Sequence, residues 1–250
     1  MAYKAHRRWI INLPENTQVK LLKNICEYFA RYLNGDVNSL HDILEKRGTR
    51  YRLLKEKTTN RNKDWIEIKK AIKYRFFSNG VGEDNEWNDE EKEKRVSRLK
   101  ELSSEICFSF VVEEQDVYLL RDICETFARF TAGQLGSIHD ILDYRYVGNG
   151  IPNKIKSKWD EEWRPIEDKM RERYFPELTR NSSYGISSKE ISSDSHRAWD
   201  FYQVFRNPIH LKSVEEEVWH NPCTHCHKPM QTSNCALPII KEYQIVQNVK

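Results

Sequence analysis

The sequence repeats itself at a constant offset of 98 residues, without a gap. Leu21-Leu22-x-x-Ile25-Cys26-Glu27-x-Phe29-Ala30-Arg31, followed by Gly35 and Ser39-x-His41-Asp42-Ile43-Leu44, returns as Leu119-Leu120-x-x-Ile123-Cys124-Glu125-x-Phe127-Ala128-Arg129, Gly133 and Ser137-x-His139-Asp140-Ile141-Leu142. Fifteen of the 27 positions from 18 to 44 are identical to their partners in 116–142. The same offset carries Trp65, Ile68, Arg75 and Phe77 onto Trp163, Ile166, Arg173 and Phe175. A match held in register over this length marks two copies of one supersecondary unit. Such copies are expected to pack on a shared interface about a pseudo-twofold axis.

Each copy opens with a short apolar stretch of period two, Trp9 to Leu13 and Ile106 to Val111, which reads as a strand. In the first copy Val19, Leu22, Cys26, Phe29 and Leu33 then recur at three- and four-residue steps, as on the buried face of a helix, with Pro14 near its first turn. Gly35 and Gly133 fall where a left-handed helix terminus is expected. A short second helix follows, with Val37, Leu40 and Leu44 on one side, His41 at its edge and Asp42 outward. Beyond a variable loop, a third helix holds Trp65 or Trp163.

The unit is therefore strand, helix, short helix, loop, helix, and the fold class is α+β, predominantly helical. The expected organisation is repeat unit 1 over 1–80, an acidic linker and helix over 81–104, repeat unit 2 over 105–178, and a C-terminal helix with an irregular tail over 179–250. The linker helix is expected from Asp89 to Leu102. The last helix is expected from Ser195 to Phe205, ended by Pro208.

Composition narrows the class. No apolar run approaches the roughly 20 residues that span a bilayer, and the first residues lack the form of a signal peptide, so a soluble cytoplasmic protein is expected, with no membrane partner. Cys26 and Cys124 sit on apolar helix faces as small hydrophobes, so they are expected to be free and buried. Net charge is only +3, but residues 46–75 hold twelve Lys/Arg against three Asp/Glu, while 83–93 hold seven acids and one lysine. The equivalent stretch of the second copy, 144–173, holds eight bases and six acids, so the first copy alone carries a basic surface suited to a polyanion.

Candidate sites follow from these patterns. His41 and His139, kept with Asp42 and Asp140 in both copies, are candidates for a shared groove. Arg31 and Arg129 would grip phosphate or carboxylate there in bidentate fashion, unless they only pair with Glu27 and Glu125 along the helix. Arg47, Arg50, Arg52, Lys55 and Arg61, interleaved with aromatic residues that include Trp65, form the alternative, a nucleic-acid surface. The isoelectric point of 8.4 is low for a dedicated nucleic-acid binder, and the partnering of Trp65 by Trp163 also fits a packing role.

In the tail Cys223-x-x-Cys226, His227 and Cys235, with His220 and His225 nearby, reach the ligand count of a structural zinc, the one candidate cofactor, but lack a second paired half. A metal-dependent enzyme is the third reading, although His-Glu-x-x-His is absent. The dinucleotide-binding, P-loop and serine-hydrolase signatures are also absent. Arg206-Asn207-Pro208-Ile209-His210 leaves three residues between Arg and His, against four to six in HEPN ribonucleases. Pro208 is further expected to break the helix that would hold them, so a ribonuclease site is rejected.

Two stretches, together about a third of the chain, resemble a family of uncharacterised proteins of tailed bacteriophages and prophages. One is the helix ending in Phe127-Ala128-Arg129-Phe130-Thr131-Ala132-Gly133-Gln134-Leu135. The other is Ser183-Tyr184-Gly185-Ile186-Ser187-Ser188-x-Glu190 with Ala198-Trp199-Asp200-Phe201-Tyr202-Gln203-Val204-Phe205-Arg206. Asn207 stands where that family commonly has His. The family has no established activity. The resemblance implies a phage-encoded accessory protein of the host cytoplasm that works by binding. Its partner at the interface of the repeats would be a host protein, such as a defence factor, or an anionic small ligand such as a nucleotide. A homo-oligomer is compatible with this reading.

Overall fold

The computed structural model describes residues 7–45, 58–77, 89–145, 153–210 and 238–243. Strand β1 (Arg8–Asn12) leads into helices α1 (Asn16–Leu33), α2 (Asn38–Glu45), α3 (Thr58–Phe77) and α4 (Asp89–Glu105). Strand β2 (Ser109–Glu113) then leads into α5 (Glu114–Thr131), a 3-10 segment (Leu135–Arg145), α6 (Asn153–Tyr174) and α7 (Ser193–His210), and the chain returns to the sheet as β3 (Ile239–Tyr243). The protein is mostly helical with a small antiparallel sheet, an α+β arrangement.

Helices α1 and α5 begin and end 98 residues apart, and the same local chemistry sets their limits. Each starts in a reciprocal box: the Glu15 side chain accepts from the Gln18 N–H while the Gln18 side chain accepts from the Glu15 N–H, and Glu113 with Asp116 does the same. Each ends in a Schellman turn. Asp36 N–H donates to Arg31 O at 2.9 Å and Gln134 N–H to Arg129 O at 2.9 Å, around Gly35 and Gly133 at φ +85° and +91°.

The second short helix differs between the copies. In the first, the Asp36 carboxylate accepts the Asn38 N–H at 3.1 Å and starts an α-helix. In the second, Gln134 occupies that place and bonds Arg129 instead, Gly136 replaces Asn38, and the segment stays 3-10.

Strand β1 is central, with β2 and β3 antiparallel on either side; Ile10 faces Val111 and Lys241. Ile11, Phe110 and Val112 are buried and Ile240 packs beside them, so one face of the sheet lies on the helices. A single core joins both copies, with Leu22, Ile25, Cys26 and Phe29 of α1 beside Leu120, Ile123, Cys124 and Phe127 of α5. Helix α4 packs on α1, α7 on α5 and α3 on α6.

Several expectations are corrected. Strand β2 lies at Ser109–Glu113 rather than from Ile106, because α4 runs on to Glu105 and the Ile106 N–H still bonds Leu102 O at 2.9 Å. The expected linker helix from Asp89 ends at Glu105 rather than Leu102, with Val96, Leu99 and Leu102 on its buried side. Helix α7 begins at Ser193, where the Ser192 hydroxyl accepts the Ser195 N–H at 3.1 Å. It also runs through Pro208 to His210: so close to the helix end, proline removes one backbone bond without breaking the helix. The rejection of a HEPN site therefore rests on the Arg206–His210 spacing alone. The tail is not wholly irregular, because β3 completes the sheet.

Candidate functional site

The two repeats meet through a pair of aromatic clusters, each completed by the other copy. His41 on α2 stacks on Trp65 of α3, with centroids 4.8 Å apart and planes 21° apart, and its Nδ1 lies 2.6 Å from the hydroxyl oxygen of Tyr174 on α6. His139 packs at 4.8 Å against Trp163 of α6 and at 5.4 Å against Phe76 of α3. Phe76 and Tyr174 are equivalent positions under the repeat, so each copy lends the other its third ring. The sequence carried this signal in the paired Arg75-Phe76-Phe77 and Arg173-Tyr174-Phe175, but not the exchange of partners.

The clusters differ in openness. His139 is buried, whereas His41 keeps 27% of its side chain exposed. Trp65 is 7% exposed and donates from Nε1 to Asn38 Oδ1 at 3.3 Å, so its ring is occupied by packing. Glu45 lies 3.9 Å from His41 Nδ1 and 3.5 Å from Arg173. Burial lowers the His41 pKa below its ordinary value; Glu45 and Asp42 oppose this, and Arg173 reinforces it. Burial raises the Tyr174 hydroxyl well above the usual tyrosine range, with Arg173 opposing.

The arginines proposed as anion grips are already engaged. Arg31 is held by Asp36 at 2.8 Å and by Asp42 at 2.9 Å, so an anion there would displace a carboxylate. Asp42 is thus turned onto α1 rather than simply outward. Arg129 pairs with Glu125 at 2.7 Å, bonds Gln134 at 3.0 Å and lies 5.6 Å from the Trp199 ring. Arg31 and Asp42 are brought together, while His41 and His139 belong to separate clusters. The Asp140 side chain lies outside the described residues.

Two further surfaces lie apart from these clusters, one that no motif marked and one within the basic stretch 46–75. A cavity of about 400 Å³ opens between α4 and the start of α5, lined in part by Glu91, Arg95, Arg98, Asp116 and Asp122. Burial raises the Asp122 carboxyl, opposed by Arg121 beside it at 2.5 Å. Arg98 spans the mouth, with Nε 2.8 Å from Asp116 Oδ1 and further bonds to Glu101 and Glu105. These cations are matched by carboxylates, which leaves the cavity no strong charge preference.

The other surface is the outer face of α3. Lys63, Ile66, Lys70, Lys73 and Tyr74 fall within a ~100° arc at 3.6 residues per turn, opposite the buried Trp65, Ile68, Ile72 and Phe76. Ile66 is 51% and Tyr74 71% exposed.

Arg47, Arg50, Arg52 and Lys55 lie outside the described residues, as do Cys223, Cys226, His227 and Cys235. Arg61 is on α3, with its side chain likewise outside them. Among the described residues no three His, Cys, Asp or Glu side chains are grouped to hold a metal, and no helix is long and apolar enough to cross a membrane. No family model, curated protein or solved structure matches the chain.

Proposed function

We propose that the chain is a binding protein, a phage-encoded accessory factor of the host cytoplasm, built from two repeats closed about a pseudo-twofold axis and engaging an anionic partner through its first repeat. The twofold reading is supported by equivalents that touch each other: β1 pairs with β2, α1 meets α5, and α3 meets α6. The exchange of Phe76 and Tyr174 supports it further.

One observation carries the functional reading: the exposed arc of α3, with three lysines around Ile66 and Tyr74, is not demanded by the fold. The equivalent positions of α6 are Glu161, Arg164, Asp168, Arg171 and Glu172, of which Arg171 is buried, so that helix packs without a lysine face. Among the described residues Lys63, Lys70 and Lys73 make no salt bridge within 4 Å, in contrast to Arg31, Arg98 and Arg129, although Lys63 and Lys70 lie near enough to Glu67 to help lower its pKa.

Retention on a heparin column tests the reading. The wild-type chain elutes at higher salt than Lys63→Glu/Lys70→Glu/Lys73→Glu, while the equally exposed Lys94→Glu/Lys100→Glu on α4 elutes close to wild type. Co-elution of all three forms would overturn it.

A further inference from the structure

We propose that the chain associates with a second copy of itself through the outer edge of β2, the two strands pairing antiparallel about Val111 into one continuous sheet. Strand β1 has both edges paired, whereas among the described residues no strand pairs with the outer edge of β2. The Leu13 N–H bonds Phe108 O at 2.8 Å and the Glu114 N–H bonds Arg7 O at 3.2 Å, which fixes the alternation of the ladder between them. Phe110 and Val112 turn their backbone groups to β1, and Ser109, Val111 and Glu113 turn theirs to the outer edge.

Two of those three positions are capped from within the chain. The Cys107 thiol donates to Ser109 O at 2.9 Å, and the Glu113 N–H donates to Asp116 Oδ2 at 3.1 Å. Val111 lies between them, and among the described residues neither its N–H nor its C=O is bonded. An extended peptide added to this edge would call on the groups at all three positions. A twofold pair about Val111 calls on that residue alone, since the N–H of each copy meets the C=O of the other. The edge is therefore matched to itself better than to a longer strand.

The side chains agree with this. Val111 is 45% exposed and stands beside Ile10 in the ladder, so Val111 of a second copy would extend the same apolar row. Edges that stay single are commonly guarded by lysine, proline or a bulge. Strand β3 has Lys241 at its centre, whereas β2 has Val111 there and Glu113 as its one charged residue. A contact of this size belongs to the transient class, so the dimer should build up only as concentration rises.

Sedimentation velocity of the full chain from micromolar to millimolar concentration tests this. The wild type should pass from monomer toward dimer, and Val111→Lys should stay monomeric. Val111→Pro should do the same, because proline there removes an N–H that β1 does not use and leaves the β1–β2 ladder intact. Ile239→Lys, on the opposite edge strand, should dimerise as the wild type does. Hydrogen exchange gives a second readout: the Val111 amide should gain protection with concentration, while the Val112 amide, bonded to β1, should not change.

Thermal melting at low concentration reports whether each variant is folded; should the proline variant melt early, Val111→Lys and the wild-type Val111 amide still decide. A wild type that stays monomeric, a dimer that survives Val111→Lys, loss of the dimer in Ile239→Lys, or Val111 exchange independent of concentration would each overturn the inference. None of these outcomes bears on the lysine face of α3.

Discussion

His41 Nδ1 and the Tyr174 hydroxyl oxygen lie 2.6 Å apart although 133 positions separate the two residues in the chain. The equivalent place in the other cluster holds Phe76 against His139, a ring without a hydroxyl. The two clusters therefore differ at this place by one hydroxyl. Tyr174→Phe removes the bond to His41 while keeping the ring, and should cost about 1 kcal/mol. Urea unfolding should show a lower midpoint with an unchanged slope; an unchanged midpoint would mean that water replaces the hydroxyl at no loss.

The same pair makes stability depend on pH. Burial holds His41 below its ordinary pKa of 6.5, with Arg173 acting in the same sense and Glu45 and Asp42 against it, while Trp65 and Tyr174 cover the ring. A histidine harder to protonate in the folded state gives the unfolded chain the extra proton as pH falls below 6.5. Stability from this group is therefore full above 6.5 and declines toward the lower folded pKa. The urea midpoint should fall as pH drops from 7 through 6.5, and His41→Gln should flatten that part of the profile. An equal slope in both proteins would assign the effect to other groups.

The two cap glycines should respond unequally to the same substitution. Both have left-handed backbone angles, so alanine costs each about 1–2 kcal/mol. A Cβ at Gly35 would meet Phe77 at 3.6 Å, an ordinary contact, whereas at Gly133 it would come within 2.8 Å of Leu178 and 3.1 Å of Phe175. Gly133→Ala should therefore be the more destabilised by chemical unfolding, and equal losses would show that the 178 side chain yields freely.

Thiol chemistry should separate the cysteines of the core from those outside it. Cys26 and Cys124 are free and buried, and burial raises both far above the usual thiol range, with Cys26 adding to the shift of Cys124. Cys107 is free and exposed. Brief alkylation of the native chain at pH 8 should modify Cys107 and spare Cys26 and Cys124, as read by peptide mass mapping. Early modification of either buried thiol would show that α1 and α5 separate locally.

The repeat made much of the fold legible. Gly35 and Gly133, the periodic apolar residues of α1, and the sheet-forming run Trp9 to Leu13 each act locally, so spacing alone reveals them. What escaped depends on distant partners. Nothing near Ile239 says that it will pair with Asn12, and neither Phe76 nor Tyr174 announces that its histidine belongs to the opposite copy. Arg31 shows why site reading was harder still. Its sequence neighbour at four residues is Glu27, but the fold brings Asp36 and Asp42 closer, and a presumed anion grip is thereby a structural fork. The lysine face of α3 was legible as charge, whereas which aromatic beside it was exposed required coordinates: Trp65 turns inward and Tyr74 outward.

Arg98 and Asp116 fix α4 to the start of the second repeat, and the two partners should be unequal under mutation. Asp116 is 2% exposed, accepts two bonds from Arg98 at 2.8 and 2.9 Å, and also accepts the Glu113 N–H that starts α5. Arg98→Met strands that carboxylate in the interior and should cost about 3 kcal/mol. Asp116→Asn keeps an oxygen for the Glu113 N–H and leaves Arg98 bonded to Glu101 and Glu105, so the loss should be nearer 1 kcal/mol. The double variant should be less destabilised than the two losses added, because the stranded charge is gone. Additive losses in urea unfolding would show instead that each side chain acts through its own packing, and that the fork adds no coupling between α4 and α5.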